Sequence, residues 1–158
     1  MKTFIGIDLG STTTKAVVMD EARTVLGRGI TNSRSNYDTA AAIAKQEALI
    51  AARFQLFRGE LQKTGALNGG LENFVGQLER DFRLEQYLEQ LADLEQVCGR
   101  NVESAKFGDA TGAVAAALRT LLGLLQKEAA ALFAPGARRK SDFFRDIGLE
   151  SPIEYLRE

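Results

Sequence analysis

The chain has 158 residues, of which 45% are hydrophobic and 26% charged, a composition that supports a folded domain and excludes wholesale disorder. The net charge of −1 leaves no basic field for nucleic acid. A single cysteine excludes an internal disulfide framework, and the absence of histidine removes the commonest metal ligand. No signal-like segment opens the sequence and no uninterrupted apolar stretch reaches bilayer length, so we expect a soluble, cytoplasmic protein without membrane association.

Three β segments are predicted at the start of the chain, at about residues 2–8, 15–19 and 24–31. Apolar residues alternate or cluster in each of them, and residues 20–23, DEAR, supply the reversal between the second and the third. The segments are close together in sequence, which favours a β meander.

The connection between the first two strands has the composition of a phosphate-binding turn. Residues 5–15 read IGIDLGSTTTK, and we call them the phosphate motif. Glycine at position 10 lets backbone N–H groups approach phosphate oxygens and permits a left-handed turn. The following hydroxyls can donate hydrogen bonds to those oxygens, and a lysine adds positive charge. The predicted phosphate ligands are Gly10, Ser11, Thr12, Thr13 and Lys15.

Asp8 has a different predicted role, because two anions repel each other. We expect it to act as the catalytic residue that holds Mg²⁺ through water, or orients a nucleophilic water. Strand alternation points Thr14 to the opposite face from Thr13, so Thr14 is left out of the site. The motif is neither a Walker loop nor a GxGxxG signature. A plain hairpin, with DLGS as turn residues and threonines that favour strands, remains the alternative.

After residue 38 the sequence changes to good helix formers. Asp38 is predicted to cap a helix that starts at Thr39 and ends near Gly65, where glycines and Asn68 break the pattern. A second helix is predicted for about 71–97, a connection for 99–108, and a third helix capped by Asp109 and stopped at Pro135. The predicted buried stripes are Ile43, Ala44, Glu47, Ile50, Ala51, Phe54 and Phe57 in the first helix, and Phe74, Leu78, Phe82, Leu84, Leu88, Leu91 and Leu94 in the second. Further short helices are predicted to start at Ser141 and Ser151.

The phosphate motif resembles the first phosphate motif of the actin-like ATPase superfamily, which includes sugar kinases and heat-shock chaperones. Its extension, GIDLGSTTTKAVVMD followed by VLGRGITNSRSNYDTA, resembles the BadF/BadG/BcrA/BcrD-type ATPase family. That family comprises ATP-binding subunits of benzoyl-CoA reductase and activators of 2-hydroxyacyl-CoA dehydratases. Later segments, NGGLENF, FRLEQYLEQLADLE and APGARRKSDFFRDI, resemble the larger ATP-binding subunit of benzoyl-CoA reductase, in its amino-terminal part.

The resemblance implies an α/β fold, α+β within this segment. Residues 1–38 would be the β meander of an incomplete ribonuclease H-like ATPase lobe. Residues 39–158 would be a mainly helical insertion, cut at its C-terminal end. No second phosphate motif or adenosine-binding glycine pair is found, so we expect a fragment that is inactive alone.

The resemblance also implies cofactors and partners. The complete protein would bind Mg-ATP and a [4Fe–4S] cluster, take electrons from ferredoxin, and work with a second ATP-binding subunit and acyl-CoA reductase subunits in anaerobic aromatic degradation. Cluster ligands are cysteine thiolates, and Cys98 is the only cysteine. We therefore expect the cluster ligands outside this segment and Cys98 to be a buried structural thiol.

Two other functions stay open. A sugar or carboxylate kinase of the same superfamily would share the phosphate motif, and an inert partial domain could serve subunit contacts. The basic run Arg138–Lys140 and the loop Asn32–Tyr37 could approach an anionic partner or the cleft, although solvated-loop and capping roles explain them equally well. The acidic positions between residues 79 and 95 are expected on the wet face of a helix.

Overall fold

The computed structural model describes residues 1–33, 36–65, 67, 69–104 and 107–137. Three strands, β1 (Thr3–Leu9), β2 (Thr13–Asp20) and β3 (Val25–Asn32), precede three helices, α1 (Tyr37–Thr64), α2 (Leu71–Ser104) and α3 (Thr111–Leu132). This order confirms the α+β class and the β meander. The described residues divide into two compact units, the first being Met1–Gln77 and the second beginning at Leu78.

The sheet is antiparallel throughout, in the order β1-β2-β3. The reversal between β2 and β3 is a tight turn in which the backbone N–H of Thr24 donates to the Asp20 carboxylate at 2.8 Å. Arg23 adopts a left-handed conformation there, with φ of 65°. A bulge between Val18 and Met19 shifts the register at this end. All seven residues of β1, the edge strand, are exposed, so the core of this unit lies under β2 and β3.

Small residues bring α1 close to β3. A Cβ atom built on Gly29 would lie 2.7 Å from the backbone nitrogen of Ala48, and one on Gly27 would lie 3.0 Å from Cα of Ala52. Ala44 joins these two alanines on the same face of α1, and the three are buried with Ala16, Val18 and Leu26 of the sheet. The core of this unit therefore depends on the absence of side chains at the contact between β3 and α1.

The predicted stripe of α1 is wrong in part, because Phe57 is exposed whereas Ala40, Ala48 and Ala52 are buried. A helix that packs against glycines buries its smallest side chains, and larger ones lie beside the contact. The predicted cap is also wrong: Asn36 has the extended backbone of an N-cap and its side chain accepts from the Thr39 N–H at 3.0 Å. Asp38 lies in the first turn instead. The predicted break at Gly65 is confirmed by its left-handed φ of 66°, while Asn68 lies outside the described residues.

The second unit contains a core between α2 and α3. Tyr87, Leu91, Leu122, Leu125 and Ala129 form it, and the rings of Tyr87 and Phe133 lie 5.7 Å apart. Of the predicted stripe of α2, Leu84, Leu88, Leu91 and Leu94 belong to this core, but Phe74, Leu78 and Phe82 are exposed.

The ends of these helices differ from the prediction. Helix α2 continues through Gly99 to Ser104, because a single glycine costs only about 1 kcal/mol in a helix whose neighbours are good helix formers. Asp109 does not cap α3. It lies within a short 3-10 helix, Gly108–Ala110, that continues directly into α3 at Thr111, so it lacks the extended backbone of an N-cap. The helix starts predicted at Ser141 and Ser151 lie outside the described residues.

One helical stretch among the described residues, Gly108–Leu132, is long and apolar enough to cross a membrane, with a mean hydropathy of 1.2. Length and composition are the only grounds for this, and core helices of soluble proteins pass the same test. Arg119 lies within the stretch, which is why the sequence shows no uninterrupted apolar run. The expectation of no membrane association stays a prediction.

Candidate nucleotide phosphate site

The phosphate motif folds as β1, a three-residue connection and the start of β2. Strand β1 ends at Leu9 and β2 begins at Thr13. The backbone N–H of Gly10 donates to the carbonyl of Thr13 at 3.1 Å and closes the connection. We call residues 10–13 the hydroxyl turn. The motif is therefore a tight turn at a strand tip, as the sequence predicts.

Gly10 differs from one of its two predicted roles, the left-handed turn. The φ angle of Gly10 is not positive; among the described glycines, positive φ angles occur at residues 65, 69, 108 and 136. A Cβ atom at Gly10 would lie 2.6 Å from the carbonyl oxygen of Thr13, well inside van der Waals contact. The left-handed turn is thus wrong, and a close backbone approach explains the glycine.

Asp8 and Lys15 are direct cross-strand partners in the β1–β2 register. Directly opposed residues in an antiparallel pair lie on the same face, with Cβ atoms about 4.5–5.5 Å apart. Both side chains are exposed, so the carboxylate and the ammonium group stand side by side on an open face next to the hydroxyl turn. The Asp8 carboxylate can therefore bind a hydrated metal cation at the same place where the Lys15 ammonium group binds a phosphate oxygen.

The four consecutive hydroxyl residues divide into two sets. Ser11 and Thr12 are exposed and Thr13 is partly exposed, whereas Thr14 is fully buried. The Thr14 hydroxyl forms a hydrogen bond of 2.8 Å with the hydroxyl of Ser33. Three hydroxyls are accessible to a ligand, and the fourth belongs to the interior.

Ser33 is a residue of this site that the sequence prediction missed. Its side chain is also fully buried, and its hydroxyl donates to the carbonyl of Gly10. Its backbone N–H donates to the carbonyl of Thr12 at 2.9 Å. The sequence signal was weak, since Ser33 is one polar residue in the loop Asn32–Tyr37. Of the other features singled out, Arg34, Ser35 and Arg138–Lys140 lie outside the described residues.

The donors present fit a phosphate group better than a bare metal ion. Among the described residues there is no group of three or more His, Cys, Asp or Glu side chains that could hold a metal ion. Asp8 offers one exposed carboxylate, which suits a cation that keeps most of its water ligands, as Mg²⁺ does. The donor set does not fit a [4Fe–4S] cluster, because Cys98 is the only cysteine. Its side chain is only partly buried, so the expectation of a buried thiol is wrong.

A strand-tip turn with exposed hydroxyls and a lysine presents the donors and the positive charge that a phosphate group requires. The model of the BadF/BadG/BcrA/BcrD ATPase family matches residues 5–135. The chain belongs to this family, which is consistent with the resemblance to the actin-like ATPase superfamily. The comparisons with curated proteins and with solved structures gave no match.

Proposed function

We propose that this chain supplies the phosphate-binding part of an ATPase subunit that drives electron transfer to a partner enzyme. The partner would be a reductase or dehydratase that acts on acyl-CoA compounds, of the benzoyl-CoA reductase or 2-hydroxyacyl-CoA dehydratase type. The observation that carries the proposal is the pairing of Asp8 with Lys15 beside an open hydroxyl turn, in a chain of this ATPase family.

Each site residue has a task that follows from its position. The exposed hydroxyls of Ser11 and Thr12, with Thr13 next to them, would donate to the β and γ phosphates. Lys15 would neutralise part of the phosphate charge. Because its side chain is exposed, its flexible aliphatic stem can adjust to the position of the ligand. Asp8 would hold a Mg²⁺-bound water on the same face of the sheet.

Coupling to electron transfer requires that ATP bind two conformations of the complete protein with unequal affinity. Only that difference can shift the equilibrium between them. A [4Fe–4S] cluster supplies low-potential electrons in such systems. Its thiolate ligands would come from protein outside the residues of this chain, so the part proposed for this chain is nucleotide binding. Ferredoxin as donor, a second ATP-binding subunit and acyl-CoA reductase subunits are the proposed partners.

The rival function, a sugar or carboxylate kinase, shares the phosphate chemistry but needs an acceptor site with a catalytic base. No particular contact in the described residues favours it over the ATPase proposal. An inert domain that serves subunit contacts would retain the turn but not bind nucleotide. Nucleotide binding therefore separates the proposal from this last alternative.

The direct test is a calorimetric titration of the whole chain with Mg-ATP, comparing wild type with Lys15→Ala. Loss of one cation at the phosphates is expected to weaken binding by about tenfold, the lower range of charged hydrogen bonds. Lys45→Ala is the matched control, because Lys45 is an exposed lysine of α1 and its removal changes the net charge equally. Wild-type protein that gives no saturable heat signal with Mg-ATP at two well-separated temperatures would contradict nucleotide binding by this chain. Equal affinities for Lys15→Ala and wild type would remove Lys15 from the site.

A further inference from the structure

We propose that Ser33 is a positioning residue that holds the hydroxyl turn in the geometry needed for phosphate. The inference deepens the proposed function and rests on it. Ser33 lies directly after β3, so β2 and β3 separate it in sequence from the hydroxyl turn. It nevertheless makes three hydrogen bonds to residues 10–14.

The direction of each hydroxyl bond follows from counting protons. A serine hydroxyl carries one proton, and that of Ser33 is donated to the Gly10 carbonyl. In the bond of 2.8 Å between the two hydroxyls, Thr14 must therefore be the donor and Ser33 the acceptor. The result is a chain that runs from Thr14 through Ser33 to the backbone of Gly10. Both hydroxyls are fully buried, so water does not compete for these bonds.

The two backbone groups that Ser33 engages are both carbonyls, those of Gly10 and Thr12. Carbonyl oxygens repel a phosphate, whereas N–H groups attract it. Within the part of the chain that the structure describes, the N–H groups of Ser11 and Thr12 have no hydrogen-bond partner. Ser33 thus occupies the acceptors of the hydroxyl turn and leaves donors available for an anion.

A turn fixed in this way does not have to be ordered when nucleotide binds. Ordering a flexible segment lowers affinity, and donors that are already arranged avoid that cost. The hydrogen bonds of Ser33 go to Gly10, Thr12 and Thr14 and its side chain is fully buried, so its effect on phosphate must pass through the turn. This distinguishes it from Ser11 and Thr12, which would touch the ligand.

The test compares wild type, Ser33→Ala, Thr14→Val and the double variant by Mg-ATP calorimetry and by thermal unfolding of the whole chain. Ser33→Ala is expected to weaken Mg-ATP binding by about tenfold, the equivalent of about one to two lost hydrogen bonds. Thr14→Val, which is nearly isosteric, should weaken it less because the bond from Ser33 to Gly10 remains. Thr120→Ala is the matched control, since it removes a hydroxyl bond to a carbonyl in α3; its affinity should equal that of wild type.

The double variant separates positioning from a merely structural role. The double variant removes both hydroxyls of the buried pair, so neither is left without a partner. Its unfolding midpoint should therefore be closer to that of wild type than the midpoint of Ser33→Ala is. Its affinity should stay at the level of Ser33→Ala, because the Gly10 carbonyl is still released. Recovery of affinity together with the midpoint would overturn the inference, as would wild-type affinity in Ser33→Ala.

Amide exchange of Gly10 gives a readout that needs no nucleotide. The Gly10 N–H, which donates to Thr13, should exchange faster in Ser33→Ala than in wild type and in the Thr120→Ala control. Unchanged exchange would overturn the inference whether or not ATP binds. Faster exchange in a protein that does not bind Mg-ATP would contradict the proposed function and the role of Ser33 in phosphate binding. It would still show that Ser33 stabilises the hydroxyl turn.

Discussion

At the scale of single residues, the backbone of the hydroxyl turn depends on contacts made at two positions, Gly10 and Ser33. Gly10 leaves room for the Thr13 carbonyl, which a Cβ atom would approach to 2.6 Å. Ser33 satisfies the carbonyls of Gly10 and Thr12 from the end of β3. The exposed hydroxyls and Lys15 can then meet an anion from a turn whose backbone is already fixed.

Substitution of Gly10 by alanine is therefore expected to distort the turn. The added methyl group meets backbone rather than a movable side chain, so we expect a loss of about 1–3 kcal/mol in the free energy of unfolding, typical of overpacking. Mg-ATP affinity should also fall. Denaturant unfolding and calorimetry measure the two effects.

Gly59→Ala is the control for this experiment. A Cβ atom at Gly59, within α1, meets no atom within 4 Å, so alanine there should raise the free energy of unfolding by about 0.5–1 kcal/mol. A Gly10→Ala variant that unfolds and binds like wild type would show that the turn has room for a side chain.

The sequence was sufficient to predict the turn but not what holds it. Alternating apolar residues and the run of hydroxyls marked β1, β2 and the site between them, and alternation also placed Thr14 on the opposite face from Thr13. The contact of Ser33 with Gly10 joins residues 23 positions apart, and nothing local to Ser33 indicates it. The glycine was expected for its conformation, whereas its small size is what the structure uses.

At the scale of elements, the contact between β3 and α1 decides the packing of the first unit. Gly27 and Gly29 of β3 face the alanines of α1 so closely that backbone atoms of the two elements nearly touch. Helical periodicity alone predicted larger side chains for this face. The buried face of α1 could not be predicted from α1, because it is set by the glycines of another element.

Gly29→Ala tests this contact. The new methyl group would meet the backbone of α1 at Ala44 and Ala48, which cannot move without displacing the helix. We expect the free energy of unfolding to fall by about 3 kcal/mol, at the upper end of overpacking effects. Denaturant unfolding monitored by circular dichroism gives the value.

Gly99→Ala provides the comparison, since a Cβ atom at this position in α2 meets no atom within 4 Å. It should stabilise the protein by about 0.5–1 kcal/mol. Equal effects of the two substitutions would mean that β3 and α1 are farther apart than the structure has them.

The core of the second unit predicts a pH dependence. Tyr87 is only 5% exposed, and burial, with a smaller contribution from the charge of Glu128, raises its pKa above the ordinary value of 10.0. The neutral phenol is thus favoured in the folded state, so its contribution to stability is complete below pH 10 and is lost as the pH rises through the folded pKa. The free energy of unfolding should therefore decrease more steeply above pH 10 in wild type than in Tyr87→Phe.

Tyr37→Phe is the control, because Tyr37 is exposed, and it should keep the wild-type slope. Within the described residues the Tyr87 hydroxyl has no hydrogen-bond partner. Removal of this hydroxyl should consequently lower the free energy of unfolding at pH 7 by no more than about 0.5 kcal/mol. A large loss at pH 7 in Tyr87→Phe would show that the hydroxyl has a partner.

At the scale of the whole molecule, the residues proposed to bind nucleotide all lie in the first unit. The phosphate motif, Ser33 and α1 all belong to it, while the second unit contains an apolar helical core and Cys98. The family match covers both units, from residue 5 to residue 135. The helical unit is therefore as much a part of the family as the strand-tip turn.

Backbone amide chemical shifts of the isotope-labelled chain, recorded before and after addition of Mg-ATP, give the sharpest test of the phosphate site. We expect the largest changes between Asp8 and Lys15 and at Ser33, and little change at the amides of α3. Changes centred elsewhere, or none at saturating Mg-ATP, would contradict the assignment of the hydroxyl turn as the phosphate site.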